Sequence, residues 1–231
     1  MPYLYIDPWY IILVVPAMLL AFWAQINVNT TFSRYSKVLA PSGMTGAESA
    51  RRVLEANGVT GVRIERISGN LTDHFDPKTN TIRLSESVYD ATTVSAVGVA
   101  AHEAGHAVQY AVGYAPMQLR AAIIPATNIG SQLAMPLVLL GLIFSSAMLV
   151  DIGIIAFSMS TLFQLITLPV EFNASRRAVA TLESSCVSDT EVKGAKAVLR
   201  AAALTYVAAL AVSLASLLRI ILLFGNRNRR D

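Results

Sequence analysis

Long apolar blocks alternate with polar stretches along the chain. Residues 11–26 and 201–218 carry no charge, and residues 133–168 carry only Asp151. Because a membrane-spanning helix needs about 20 apolar residues, the outer blocks fit one span each and the middle block fits two. We place the turn of the middle hairpin at Asp151 and Gly153, which divide it into near-equal halves; a buried intramembrane Asp151 is the alternative. The pattern therefore predicts four spans.

The polar positions after the first block predict a small folded region outside the apolar spans. Residues 27–120 hold a capping-box pattern at Thr45–Glu48, which is typical of a helix start. Residues 62–67 and 81–84 alternate as short strands do, and 93–112 predicts a long helix. We expect a mainly α polytopic membrane protein with a small α+β region, in which the strands form a short meander.

Composition agrees with a membrane protein and excludes some function classes. The 231 residues are 54% hydrophobic and 14% charged, whereas soluble domains average about 25% charged residues. Disorder needs low hydrophobicity and high charge, so a disordered chain is excluded. The net charge is only +3, and the basic residues form no long run. We therefore predict a lipid bilayer as partner and no nucleic acid.

The candidate chemistry lies in the predicted long helix, in the string His102-Glu103-Ala104-Gly105-His106. Residues four apart share one face of a helix, so both imidazoles can reach one metal ion. Glu103 lies beside the coordination position that a catalytic zinc keeps for water, where it can act as general base. The motif predicts one zinc ion held by His102 and His106.

A catalytic zinc needs a third protein ligand. Two spans between His106 and Glu171 return the chain to the motif's side of the membrane, and Glu171 borders the apolar block where a carboxylate needs a partner. Glu183 is the next candidate. An interfacial Glu171 paired with Arg176 or Arg177 is the alternative without a metal.

Four strings carry a resemblance to a known family. The chain resembles the YugP-like neutral zinc metallopeptidases of bacterial membranes over essentially its full length, in the strings Gly69–Pro77, Arg83–Tyr89, Val99–Gln109 and Leu168–Arg177. Glu171-x-x-Ala174-Ser175 is also similar to the Glu-x-x-Ala-Asp third-ligand helix of HtpX-type and CAAX-processing membrane proteases, with Ser175 in place of the Asp.

The resemblance implies a zincin-like catalytic region and a gluzincin-like endopeptidase. His102, His106 and Glu171 would hold zinc, and Glu103 would deprotonate the water and protonate the leaving amine. A peptide or membrane-protein substrate and a role in membrane-protein quality control follow by analogy. Strand 81–84 could pair with an extended substrate. The candidates for the oxyanion donor or for substrate contact are His74, Asn173, Arg176 and Arg177.

These expectations divide the chain into five parts. They are an N-terminal anchor at 1–26, the catalytic region at 27–120, a transmembrane hairpin at 121–168, a third-ligand helix region at 169–200, and a last span with a basic tail at 201–231. Basic residues favour the cytoplasmic side of a membrane. More of them lie near span ends on the catalytic side (Arg34, Lys37, Arg120, Arg176, Arg177, Lys196, Arg200) than in the tail (Arg227, Arg229, Arg230). We expect a multi-pass protein of the bacterial inner membrane whose active site faces the cytoplasm.

One alternative is not an enzyme. A zinc-binding membrane scaffold or assembly factor would use the same histidines but would close the metal with a fourth protein ligand. No cysteine lies near the motif, and His74 is the only other histidine, which makes such closure difficult. The substrate and the oligomeric state stay open at this level.

Overall fold

Seven α-helices and three short strands make up the described part of the chain. The computed structural model describes residues 7–185 and 187–224. In chain order the elements are a π-helical turn Tyr10–Val14, α1 Val15–Tyr35, α2 Gly46–Ala56, β1 Arg63–Ile67, β2 His74–Asp76, β3 Thr81–Ser85, α3 Glu86–Tyr89, α4 Val94–Ala111, α5 Ala115–Ile143, α6 Ala147–Ser184 and α7 Asp189–Phe224. The tail arginines Arg227, Arg229 and Arg230 lie outside the described residues.

Four helices are long and apolar enough to cross a membrane: Tyr10–Tyr35, α5, α6 and α7. This confirms the predicted mainly α polytopic fold with four spans. The helices are longer than the apolar blocks, because α5 begins at Ala115 and passes through Pro125 and Pro136. Membrane helices tolerate proline, since neighbouring groups satisfy the freed backbone carbonyls.

The predicted turn at Asp151 and Gly153 is wrong. The chain turns at residues 144–146, between α5 and α6, where Ser145 has φ +52°. Asp151 is an exposed residue of α6. A Cβ added at Gly141 would lie 2.6 Å from Val150 Cγ2, so this glycine lets α6 fold back closely against the end of α5. Packing, and not the charge of Asp151, decides where the hairpin turns.

The described residues form two compact units. The membrane unit comprises residues 7–24, 119–168 and 205–224 of the described chain. The site unit comprises the described residues of 25–118 and 169–204. Helices α1, α5, α6 and α7 each begin in one unit and end in the other, so the spans and the polar region are built on the same continuous helices.

Helix α4 is the centre of the site unit, and most of its residues are buried. Helix α2 packs along it, and its Ser49 hydroxyl donates to the Val97 carbonyl at 2.9 Å. The predicted capping box of α2 is confirmed, because the Thr45 hydroxyl accepts from the Glu48 N–H while the Glu48 carboxylate accepts from the Thr45 N–H. These contacts anchor α4 from one side.

The three strands form one sheet in the order β1-β3-β2. β1 and β3 are parallel and β2 is antiparallel to β3, so the sheet departs from the predicted meander. The reason is that β2 forms within the turn-rich segment that connects β1 to β3. β3 then lies between β1 and β2 in the sheet. β3 is paired along both edges, which excludes the expected pairing of a substrate with strand 81–84.

Candidate metal centre

His102 and His106 lie one turn apart on α4, as the motif predicts. Their ring centroids are 4.7 Å apart. His106 is buried, while His102 and Glu103 are half-buried. Both histidines direct Nε2 toward the same carboxylate oxygen, Oε2 of Glu171, at 3.2 Å from His102 and 3.6 Å from His106.

Glu171 comes from α6 and is only 2% exposed. Helix α6 can approach because the motif contains Gly105, where an added Cβ would lie 2.6 Å from the Ala174 carbonyl oxygen. The glycine between the two histidines therefore brings the backbone of α6 against α4, and the side chain of Glu171 reaches both imidazoles.

The three side chains suit zinc. A tetrahedral zinc with bonds of about 2.1 Å separates its ligand atoms by roughly 3.4 Å, and the separations of 3.2 and 3.6 Å between Glu171 Oε2 and the two Nε2 atoms lie on either side of that value. Among the described residues one group of three His, Cys, Asp or Glu side chains could hold a metal ion, and it is His102, His106 and Glu171 with ligand atoms within 4.8 Å. The alternative ligand Glu183 is 54% exposed and lies 3.9 Å from Lys196 Nζ.

Each histidine has a partner for its other ring nitrogen. Nδ1 of His102 lies 3.1 Å from the Ser175 hydroxyl, and Nδ1 of His106 lies 3.0 Å from Oε1 of Gln109. Ser175 takes the place of the Asp in the similar helix of HtpX-type and CAAX-processing proteases, and it contacts the first histidine. Gln109 was missed at the sequence level; its signal is a polar residue one turn after His106 in an otherwise apolar helix.

The surroundings of His106 favour positive charge. Burial alone would lower the pKa of His106, but the Glu171 hydrogen bond and the charges of Glu103 and Glu171 outweigh it and raise the pKa above its ordinary value. Two carboxylates beside the imidazole thus create a negative potential, which a metal cation needs at this position.

The other four candidate residues have different surroundings. His74 is exposed on β2, and its Nδ1 bonds the Thr72 carbonyl at 2.8 Å. Its neighbour Phe75 is buried and its ring lies 5.8 Å from that of Tyr110 on α4. Since successive strand residues face opposite sides, His74 points away from α4.

Asn173, Arg176 and Arg177 lie on α6 close to Glu171. Arg177 donates from Nε to Oδ1 of Asn173 at 2.9 Å, and the same oxygen accepts from Gln109 at 3.0 Å. Arg176 is exposed. Glu171 contacts both histidines, as the metal-ligand interpretation requires and the alternative of an interfacial Glu171 paired with Arg176 or Arg177 does not.

Comparison with known proteins agrees with this site. Residues 10–225 match the family described as "Putative neutral zinc metallopeptidase". The chain belongs to this zinc metallopeptidase family. It is also 49% identical over 218 residues to the "Putative membrane protease YugP" of Bacillus subtilis (strain 168), which covers 94% of this chain and 97% of that relative. No solved structure matches the chain at a significant level.

Membership confirms the resemblance that the four sequence strings indicated. The matched range contains all three metal-capable side chains, Glu103 and the four apolar helices. The geometry of this site is therefore interpreted below as that of a zinc-dependent membrane protease.

Proposed function

We propose that the protein is a membrane-embedded, zinc-dependent endopeptidase in which His102, His106 and Glu171 hold one zinc ion and Glu103 is the general base. The observation that carries this proposal is the convergence of both Nε2 atoms on Oε2 of Glu171 beside a half-buried Glu103. Three protein ligands and an adjacent carboxylate are the pattern of a catalytic zinc, which keeps its fourth position for water.

The chain's own residues have distinct parts in the hydrolysis. Bound zinc supplies Lewis acidity, which lowers the pKa of a water to about 7 and polarises a carbonyl. Glu103 accepts a proton from the attacking water, whose oxygen bonds to the scissile carbonyl carbon. As the C–N bond breaks, Glu103 passes that proton to the leaving amine. We keep Asn173, Arg176 and Arg177 as candidates for contact with the oxyanion or the substrate, and His74, which points away from α4, as a candidate for contact with the substrate alone.

The surroundings favour an enzyme over a structural zinc protein. A structural zinc is closed by four protein ligands, whereas the metal-capable group in the part of the chain that the structure describes has three. Glu103 would also have no purpose in a closed site. The substrate class we propose is a peptide segment of a membrane-associated protein, with quality control of membrane proteins as the cellular role.

The test compares wild type with Glu103→Gln and Glu171→Ala, all as full-length chains purified in detergent. Zinc content is measured by elemental analysis, and cleavage is measured by mass spectrometry on a proteome-derived peptide library. We expect about one zinc per chain and cleavage in wild type. Glu103→Gln should keep zinc and lose roughly 10²–10⁴-fold in rate, since it removes proton transfer.

Glu171→Ala should lose zinc, because two imidazoles alone do not complete the ligand set. Retention of a full zinc in Glu171→Ala would refute the ligand assignment. Unchanged product formation in Glu103→Gln would refute the general base. Zinc without any cleavage in wild type would instead support the scaffold alternative.

We also propose that the site faces the cytoplasm, from the basic residues near its span ends. The exposed Leu71 of the site unit provides a reporter position. A Leu71→Cys, Cys186→Ser variant should react with a membrane-impermeant maleimide only after the cells are opened. Labelling of intact cells would place the site on the outer side.

A further inference from the structure

Gln109 is fully buried and joins α4 to α6 near the proposed metal site. Its Oε1 lies 3.0 Å from Nδ1 of His106, and its Nε2 lies 2.7 Å from the Val170 carbonyl and 3.0 Å from Oδ1 of Asn173. Nε of Arg177 donates to the same Asn173 oxygen at 2.9 Å. Every polar atom of the Gln109 side chain thus has a partner.

The direction of these hydrogen bonds follows from two groups whose roles are fixed, the Val170 carbonyl and the Arg177 guanidinium. A backbone carbonyl can only accept and a guanidinium can only donate. Gln109 must therefore present its NH₂ group to Val170, and Asn173 must present its oxygen to Arg177. Both constraints agree, because the Gln109 NH₂ group then also donates to the Asn173 oxygen.

The consequence reaches the imidazole. With its NH₂ group committed to α6, Gln109 has only its carbonyl oxygen for His106, and that oxygen needs a donor. Nδ1 of His106 must carry the proton. The lone pair of the neutral ring then lies on Nε2, which is the atom directed at Glu171.

We propose that Gln109 is a positioning residue that fixes the tautomer and ring orientation of His106 from α6, through Val170, Asn173 and Arg177. The proposal rests on the zinc site proposed above and adds a group that acts through a ligand. Val170 and Asn173 flank Glu171 in the sequence. The contacts therefore link the orientation of the His106 ring to the segment of α6 that supplies Glu171.

His102 provides the internal comparison. Its Nδ1 faces the Ser175 hydroxyl at 3.1 Å, and a hydroxyl can donate or accept by rotating. Ser175 therefore holds the ring without dictating its tautomer. We expect substitutions of Gln109 to affect metal binding more strongly than Ser175→Ala.

The experiment measures zinc affinity by chelator competition and the visible absorption spectrum of the Co²⁺-loaded protein, on full-length chains in detergent. Gln109→Leu keeps the approximate volume of the side chain and removes all of the side-chain hydrogen bonds that Gln109 makes. We expect about 10–100-fold weaker zinc binding and an altered Co²⁺ spectrum, the usual scale for loss of a group that orients a ligand. Asn173→Leu should weaken zinc binding in the same direction by a smaller factor.

Rescue by a conservative variant separates positioning from simple packing. In Asn173→Asp a carboxylate oxygen still accepts from both Gln109 and Arg177, so zinc affinity should stay within about threefold of wild type. Ser49→Ala is the matched control, since it deletes another buried hydrogen bond to α4. It should lower the melting temperature of the zinc-free protein without weakening zinc binding.

Three results would overturn the proposal. The first is wild-type zinc affinity and Co²⁺ spectrum in Gln109→Leu. The second is Asn173→Asp behaving like Asn173→Leu, which also decides the matter if Gln109→Leu does not fold. The third is Ser49→Ala weakening zinc binding as much as Gln109→Leu does. Glu171→Ala, measured alongside, distinguishes the failures: if it keeps full affinity, the zinc site itself is wrong and the role of Gln109 fails with it.

Discussion

The two compact units bury polar side chains in opposite ways. In the site unit, His106, Gln109 and Glu171 belong to one connected set of contacts that converges on a single point. In the membrane unit the polar contacts are local, such as Arg219 Nε with Asp7 Oδ2 at 3.0 Å and the hydroxyls of Thr161 and Ser213 at 2.8 Å. A contact between two side chains joins only those two groups, whereas the convergent set directs several polar atoms at one place.

In both units a glycine lets two helices pack closely. Gly105 in the site unit faces the Ala174 carbonyl, and Gly130 in the membrane unit faces the Ala156 carbonyl, at 2.6 and 3.0 Å from an added Cβ. Small residues let helices approach closely in either setting. What the approach accomplishes depends on the side chains that the helices carry: of these two contacts, the one between α4 and α6 lies beside side chains that could hold a metal ion.

The largest effect that separates the units is expected from Gly105→Ala. The new methyl group would push the Ala174 backbone away and displace Glu171, which sits one turn earlier on α6. A displacement of about 1 Å can cost on the order of 100-fold in rate, and we expect zinc affinity to fall by a similar factor. Chelator competition and peptide cleavage measure the two losses.

Gly130→Ala is the matched substitution in the membrane unit. Its contact is less tight, and the gain in helix propensity offsets part of the strain. We expect a small change in melting temperature and unchanged zinc affinity. Equal losses of zinc affinity in both variants would break the distinction between the units.

A smaller effect, on the melting temperature, is expected when the aspartate of one Arg–Asp pair is replaced in each unit. Arg219 lies in the apolar helix α7, and its Nε lies 3.0 Å from Oδ2 of Asp7; the two side chains are 30% and 12% exposed, respectively. Arg83 lies on β3, and its Nη1 lies 2.9 Å from Oδ2 of Asp76, with both side chains about a quarter exposed. Water can replace a partner at the second pair more easily than at the first.

We therefore expect Asp7→Asn to lower the melting temperature more than Asp76→Asn, measured in detergent with chelator present so that zinc release does not contribute. The Arg83 hydrogen bond holds the pKa of Asp76 below its ordinary value. Its contribution to stability is present at neutral pH and is lost as pH falls below about 4. The difference in melting temperature between Asp76→Asn and wild type should therefore shrink as the pH falls below about 4. A larger effect of Asp76→Asn at pH 7 would reverse the comparison.

Local patterns predicted most of the elements and the two histidines of the candidate metal site well. The capping box at Thr45 and the long helix around His102 depend on neighbouring residues only, so the sequence showed them directly. The same holds for the i, i+4 spacing that puts both imidazoles on one face. Glu171 was identified by counting spans, which works because membrane thickness restricts how far each helix travels.

Features that depend on distant contacts were predicted less well. The hairpin turns at 144–146 because Gly141 allows a close return. Strand β2 and the order of the sheet depend on pairing between segments that no local pattern specifies. Gln109 belongs to the site only because α6 supplies Val170 and Asn173 as partners.

The sequence by itself determined that this is a four-span membrane protein with a two-histidine, one-glutamate motif on a buried helix. Only the tertiary structure decided that Glu171 rather than Glu183 meets those histidines, and that Gln109 and Ser175 contact their other ring nitrogens. The reason is physical: hydrophobic periodicity and side-chain spacing are properties of one segment, whereas the meeting of polar atoms across two helices depends on how closely their backbones pack. That distance is set by a glycine against an alanine carbonyl, at Gly105 and Ala174.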